Sequence, residues 1–281
     1  MDSPGGTALL AGRRVARIGF GAMQLGAQDA EVLRKAVGNG VNHIDTAEFY
    51  GDGAVNALIR AALHPYPEDL VLVSKVGAEH RDGLVPAQKP GQLRASVEAN
   101  LASLGIERLP VVNLRRLDVG PGLVAEGDQR VGIEDQLAEL IALRTEGKIG
   151  AIGLSAVDAE RLRIALPAGI ACVQNAHSLL SRESAALLRI CRENGIPWVP
   201  FFPLGSAFSG HPKVTEHPEV RAVAAELGAN PAQIGLAWLL AEYENTLLIP
   251  GTANPVHLEE NLAAGRIRLD AATFARLDGL A

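Results

Sequence analysis

The sequence predicts an α/β fold, a (β/α)8 TIM barrel with a short N-terminal β-hairpin, and three observations predict it. Eight short apolar runs alternate along the chain with longer stretches of helical periodicity. Glycine closes several of those stretches, at Gly40, Gly105, Gly147 and Gly195, where left-handed C-caps are expected. The length of 281 residues is ordinary for one barrel and large for most other single folds, so residues 1–281 are read as one domain.

The elements follow in order. Residues 9–15 read as the hairpin, with Ala11-Gly12-Arg13 as its turn, placed to plug the bottom of the barrel. The strands are expected at 18–22, 42–45, 70–75, 111–115, 151–154, 172–175, 197–201 and 246–250. Helices are expected at 30–39, where Val32, Leu33, Ala36 and Val37 repeat at helical spacing, and at 53–63, 91–104, 132–146, 159–166, 184–193 and 231–242. Strand–helix alternation implies a parallel sheet with right-handed crossovers, and eight repeats favour closure. The longest connections, 76–92, 116–131 and 202–220, each follow a strand and precede a helix. They therefore gather at the C-terminal face, where barrels build their sites.

Composition narrows the function classes. Hydrophobic residues make up 48% and charged residues 21%, enough for a substantial core. The net charge of −6 has its signs interleaved, and no basic block points to nucleic acid or to an anionic membrane surface. Cys172 and Cys191 lack metal-ligand spacing and read as small buried hydrophobes. The seven histidines are scattered, so no metal is expected. Residues 1–10 lack a basic segment followed by an apolar one, and no run is long enough to span a bilayer, which gives a cytoplasmic expectation.

The run His43-Ile44-Asp45-Thr46-Ala47-Glu48-Phe49-Tyr50-Gly51, followed by Ser74-Lys75-Val76, carries the chemistry. Asp45 and Lys75 end successive strands, and Tyr50 lies in the loop after the first. A phenol with a pKa of ~10 is a weak proton donor near neutral pH. A cation within ~4–6 Å stabilises the phenolate it leaves behind. A buried ammonium in turn needs a carboxylate to stay charged. The set reads as the acid of a carbonyl reduction. Gly19-Phe20-Gly21 and Gly150-Ala151-Ile152-Gly153 do not make Gly-x-Gly-x-x-Gly between a strand and a helix, so a nicotinamide would have to bind in another way.

Asp45, Tyr50 and Lys75 in this order, with Gly19-Phe20-Gly21-Ala22-Met23 upstream, resemble the aldo-keto reductase family. Ile152-Gly153-Leu154-Ser155, Val173-Gln174-Asn175, the stretch from Val199 to Gly205, Ile249-Pro250-Gly251-Thr252 and Glu259-Glu260-Asn261-Leu262 extend the resemblance over nearly the whole chain. Asn42-His43-Ile44-Asp45-Thr46, Val111-Val112-Asn113-Leu114-Arg115 and Phe201-Phe202-Pro203-Leu204-Gly205 are similar to the bacterial pyridoxal reductases within that family.

The resemblance implies a barrel that binds extended NADP(H), with NAD(H) less favoured, and catalysis by Tyr50, Lys75 and Asp45. It implies that Ser155, Gln174 and Asn175 hold the nicotinamide carboxamide and that Phe201 stacks on the ring. Gly21 and Met23 join the cofactor set. Pro203 and Leu204 lead to Gly205 and Ser206, whose N–H groups would face the pyrophosphate. Gly251, Thr252, Asn254 and His257 match the 2′-phosphate region, and Glu260 and Asn261 the adenine end. The family often has lysine and arginine at the positions of Gly251 and His257, and asparagine at that of Ala156. Met23, Phe49, Phe202 and the long loops would line the substrate pocket.

One departure stands out: Arg115 occupies the place where the family usually has histidine. Arginine stays protonated, so it donates hydrogen bonds and not the proton. It could polarise the carbonyl, hold an anionic group beside it such as the phenolic oxygen of pyridoxal, or pair with a loop acid. The implied partner is a small-molecule carbonyl, with pyridoxal first. The chain would act as a monomer or small homo-oligomer. A broad-specificity carbonyl reductase and a nucleotide-binding regulatory subunit on the same fold are the alternatives.

Overall fold

Backbone hydrogen bonds arrange the strands as a ring in the computed structural model, which describes residues 3–120, 122–205 and 211–281. The chain starts with an antiparallel hairpin, β1 (Thr7–Leu10) and β2 (Arg13–Ala16). Its two-residue turn places Ala11 at φ 51° and Gly12 at φ 77°, the left-handed pair that matches strand twist in tight hairpins. β3 (Phe20–Gly21), β4 (His43–Asp45) and β5 (Val71–Val76) then pair in parallel. The connection after β5 folds into a second hairpin, β6 (Ala78–Arg81) and β7 (Gly83–Pro86). The parallel ladder resumes with β8 (Leu109–Arg115), β9 (Ile149–Ser155) and β10 (Ile170–Gln174).

Two further segments close the ring. Trp198 bridges both Val173 and Thr246, and Ile18 bridges Leu248. Leu247 N–H donates to the Trp198 carbonyl at 2.8 Å, and Gly19 N–H to the Leu248 carbonyl at 2.8 Å. These segments, expected as strands at 197–201 and 246–250, are tied by single bridges where the others form ladders. Pro197, Pro200 and Pro250 cannot donate to a ladder, which accounts for the interruption. At the seam a Cβ on Gly21 would lie 2.4 Å from the Ile249 carbonyl oxygen, and one on Gly251 would lie 2.5 Å from that of Gly21. Only glycine lets the first and last strand ends approach so closely.

Helices α1 (Ala30–Gly38), α2 (Ala54–Leu63), α3 (Pro90–Leu104), α4 (Ile133–Thr145), α5 (Ala159–Ala165) and α6 (Ala185–Glu193) wrap the ladder. α7 (Pro218–Glu226), α8 (Pro231–Glu242), α9 (Pro255–Ala263) and α10 (Ala271–Asp278) complete the shell. Sequence periodicity did not predict α7, α9 or α10. Each is short, and each begins with a side chain accepting a backbone N–H: His217, Asn254 and Asp270. No helix among the described residues is long and apolar enough to cross a membrane.

Alternation along the strands separates two cores. Ile44, Leu72, Val112, Ile152 and Val173 face the helices and pack with Val32, Leu33, Val97 and Leu140. Val71, Val73, Val111, Cys172, Val199 and Leu247 fill the barrel and meet Ala8, Leu10 and Val15 of the first hairpin. The floor of the barrel is thus sealed by apolar side chains of the hairpin.

Candidate active site

Where β4 and β5 end, alternation turns Asp45 and Lys75 into the barrel, each 4% exposed. The Lys75 ammonium bonds Asp45 Oδ1 and the Thr46 carbonyl oxygen, the latter at 3.0 Å. Asp45 Oδ2 accepts from Gln174 Nε2 at 2.9 Å. The loop after β4 brings Tyr50 back so that Lys75 Nζ sits 4.9 Å from its ring centroid. Burial is the largest single influence on Lys75 and pushes its pKa down, but Asp45 and Tyr50 together carry it above its ordinary value. The lysine is therefore held as a cation under the phenol. Phe49 meets Tyr50 edge-on at 5.2 Å and packs with Ala47 and Ala78 at the base of the second hairpin.

Below this pair lies His43, fully buried, with neither ring nitrogen well hydrogen-bonded. Burial pushes its pKa down to about 4, against a smaller upward pull from the Leu248 carbonyl. It is a neutral floor for the site and not a proton donor at neutral pH.

Arg115 and Arg116 have opposite fates. Arg116 is buried, paired with Asp118 at 2.8 Å and bonded to the Val131 carbonyl oxygen at 2.9 Å and to Gln136 Oε1. The Arg115 guanidinium makes no hydrogen bond or salt bridge among the described residues, and its Nε is buried without a partner. The loop acid that could have neutralised it is absent among those residues. Burial lowers its pKa, and Tyr50 and Asp45 pull the other way. Both groups are thus its electrostatic neighbours.

Two supporting networks were not visible in the sequence. On the outer face, Thr46 Oγ1 donates to Asn56 Oδ1 at 2.8 Å, and Asn56 Nδ2 and Ser74 Oγ both donate to Asn100 Oδ1, at 3.0 and 2.5 Å. Thr46 and Ser74 flank Asp45 and Lys75, so α2 and α3 grip the strand ends that carry the pair. In the loop after β7, buried Gln88 donates from Nε2 to the Gly77 and Arg115 carbonyl oxygens at 2.5 and 2.7 Å and accepts from Gln136 Nε2 at 2.8 Å. The one advance signal was the presence of polar residues at positions where strand and helix faces should be apolar.

Ser155 and Gln174 face each other in register on β9 and β10, both buried. With Nε2 committed to Asp45, Gln174 Oε1 is buried without a donor. Asn175 is turned elsewhere: its amide takes Val157 N–H at 3.2 Å and gives to the Val157 carbonyl oxygen at 2.9 Å. Ala156 between them has φ 48°, a region where asparagine is the more comfortable residue. Phe201 stands edge-on to Phe202 at 5.1 Å.

Gly205 has φ 86°, and its N–H donates to the Phe202 carbonyl oxygen at 3.0 Å, so Pro203 and Leu204 lie in a tight turn. That N–H is spent within the turn. Ser206 lies outside the described residues. Thr252 is buried and Oγ1 accepts from Asn254 N–H at 3.0 Å, while Asn254 caps α9 through Val256 N–H at 2.9 Å. His257 is exposed on the first turn of α9, with Glu260 partly exposed and Asn261 buried one turn later. Met23 is 43% exposed. Among the described residues no group of three His, Cys, Asp or Glu could hold a metal ion.

A profile of the aldo/keto reductase family matches residues 17–281. Pyridoxine 4-dehydrogenase of Escherichia coli (strain K12) is 40% identical over 288 aligned residues, covering 98% of this chain and 98% of that protein. Among solved structures, a thermostable aldo-keto reductase in complex with the inhibitor epalrestat superposes with a TM-score of 0.81 at 28% identity, covering 98% of this chain and 99% of the other. An aldo-keto reductase from Klebsiella pneumoniae in complex with NADPH gives a TM-score of 0.79 at 27% identity, over 95% and 91% of the two chains. A barrel with a buried Asp45–Lys75 pair under Tyr50, matched by the family profile from just before β3 to the last helix, belongs to the aldo/keto reductase family of oxidoreductases.

Proposed function

We propose that the protein is an NADP(H)-dependent reductase of aldehydes or ketones, with reduction of pyridoxal to pyridoxine as its leading candidate reaction. The observation that carries this reading is the charged Lys75, fixed by Asp45 and set against the Tyr50 ring. Support for the cofactor comes from the NADPH-bound relative and from a local fit: the donor-less Gln174 Oε1, beside Ser155, suits the N–H2 of a carboxamide. Phe201 offers the stacking face. Gly21, Met23 and the turn at Pro203, Leu204 and Gly205 would flank an extended dinucleotide, and Ser206, next in the sequence, lies outside the described residues. Gly251, Thr252, Asn254 and His257 would meet the 2′-phosphate, and Glu260 and Asn261 the adenine.

Bound NADPH supplies the hydride that adds to the carbonyl carbon. As charge builds on the carbonyl oxygen, the Tyr50 hydroxyl gives it a proton. The Lys75 ammonium and the Arg115 guanidinium stabilise the phenolate that remains. Asp45 keeps Lys75 protonated and in place, and Gln174 steadies Asp45 from the far side. Arg115 would donate hydrogen bonds to the substrate and takes no part in moving the proton.

The test follows NADPH absorbance with pyridoxal for the wild type and Tyr50→Phe. Loss of absorbance with the first and not the second supports the reading. Tight NADPH binding with no turnover of any carbonyl would overturn it in favour of a regulatory role. A lower KM for NADH than for NADPH would overturn the cofactor assignment.

A further inference from the structure

The charges at the barrel mouth do not cancel. Asp45 and Lys75 neutralise each other, and Arg116 is satisfied by Asp118 on the other side of its strand. Arg115 keeps its positive charge, makes no salt bridge among the described residues with Asp45 already committed to Lys75, and buries its Nε unpaired. A partly buried cation is unfavourable unless something negative joins it. The backbone beneath it is also fixed. Gln88 ties the Arg115 carbonyl to that of Gly77. A Cβ on Gly77 would come within 2.4 Å of the Arg115 carbonyl oxygen, so that approach is set by glycine at φ 104°. The guanidinium is thus anchored at its root and free at its tip, beside the proton donor.

Its surroundings describe the rest of the ligand. Tyr50 meets Phe49 edge-on, and Phe201 meets Phe202 edge-on at the end of the segment that closes the ring, so these rings would supply the walls of the mouth. A flat aromatic body suits such walls. A guanidinium presents paired, coplanar N–H groups, which match two oxygens side by side. An aromatic aldehyde with a hydroxyl on the neighbouring ring carbon offers such a pair: the carbonyl oxygen and, once the hydroxyl ionises, a phenolate.

We propose that Arg115 is the specificity-determining residue of this site and selects aromatic aldehydes that carry an ionised hydroxyl ortho to the carbonyl. The proposal rests on the reductase reading above. It replaces one candidate substrate with a chemical class and assigns the selection to one side chain. An aliphatic 2-oxo acid would offer Arg115 a similar pair of oxygens but gives the aromatic walls nothing to hold, and an aryl 2-oxo acid sets its two oxygens off the ring.

The test measures kcat/KM with NADPH for 2-hydroxy-, 2-methoxy- and 4-hydroxybenzaldehyde and for phenylglyoxylate, with the wild type, Arg115→Met and Arg115→Lys. The wild type is expected to favour the 2-hydroxy isomer over the 4-hydroxy and 2-methoxy compounds on the order of ten- to a hundredfold, the scale of a charge-assisted hydrogen bond. An ortho hydroxyl also activates its own aldehyde, and that contribution is common to all three enzymes. The proposal therefore requires the isomer ratio to collapse in Arg115→Met and to shrink in Arg115→Lys, which keeps the charge but loses the fork. Equal rates for the ortho and para isomers in the wild type would overturn it without need of any variant. So would an unchanged ratio in Arg115→Met, or phenylglyoxylate outpacing the 2-hydroxy aldehyde. Any of these three results leaves the reductase reading standing, whereas no NADPH consumption with any of the four compounds, or with pyridoxal, removes both.

Discussion

Along β4 and β5, the groups proposed for chemistry are held by other side chains: Asp45 by Lys75 and Gln174, and the strand ends beside them by Asn56 and Asn100. Around 201–205 and 251–261 the groups placed for the cofactor are held by a backbone turn and a helix cap. The first arrangement is a packed, mutually dependent constellation. The second is a set of separate local fixtures. Changes in the first region should therefore act together and strongly on turnover, while changes in the second should act singly and mostly on binding.

The largest effect is expected from Tyr50→Phe. Loss of a positioned general acid typically removes about 10²–10⁴ in kcat, and quenching of NADPH fluorescence should show cofactor affinity nearly intact. A matching loss of affinity would break the comparison. Lys75→Met should fall in the same range. Combined with Tyr50→Phe it should cost little more, because the two act as a unit. Full additivity of the pair, measured by stopped-flow, would contradict the packed constellation.

His43 offers a way to sharpen the comparison through stability. Its folded pKa is depressed to about 4 from a model-peptide value of 6.5. A depressed histidine leaves the unfolded chain binding more protons between those values, so stability is full above about pH 6.5 and is lost as pH falls toward 4. The shift corresponds to about 3 kcal/mol. His43→Leu should flatten the fall of Tm across that window. An equally steep fall in the variant would place the acid sensitivity elsewhere.

The smallest effect belongs to the cofactor side. Asn254→Ala removes the α9 cap, which costs about 1 kcal/mol of stability. KM for NADPH should rise by only a few fold, with kcat unchanged. A drop in kcat comparable to that of the Tyr50 variant would show that the two regions are coupled after all.

The Asp45–Lys75 pair was legible because both residues sit at strand ends, where periodicity fixes which way each side chain turns. Arg115 and Arg116 could be set on opposite faces by alternation alone. The seventh and eighth strands were legible as apolar runs, although their prolines reduce them to bridges. What stayed hidden has identifiable causes. The second hairpin runs through Glu79-His80-Arg81-Asp82, which reads as a solvated loop. α9 buries only Leu258 and Asn261 and α10 only Leu277, so neither carries a strong apolar stripe, though Asn254-Pro255 and Asp270 are helix-start signals. Asn56, Asn100, Gln88 and Gln136 look like ordinary surface amides until the topology buries them against one another. The engagement of the Asn175 amide by the Val157 backbone depends on the loop after β9 and has no signal in the sequence.

The seam between Gly21 and Gly251 limits how this protein's coenzyme preference could be redesigned. Installing a lysine at 251 would be the obvious way to add charge for a phosphate, yet its Cβ would have to enter space held by the Gly21 carbonyl. Such a variant would force the barrel open before it gripped anything. The exposed His257 has no such neighbour, so His257→Arg is where an engineer should begin.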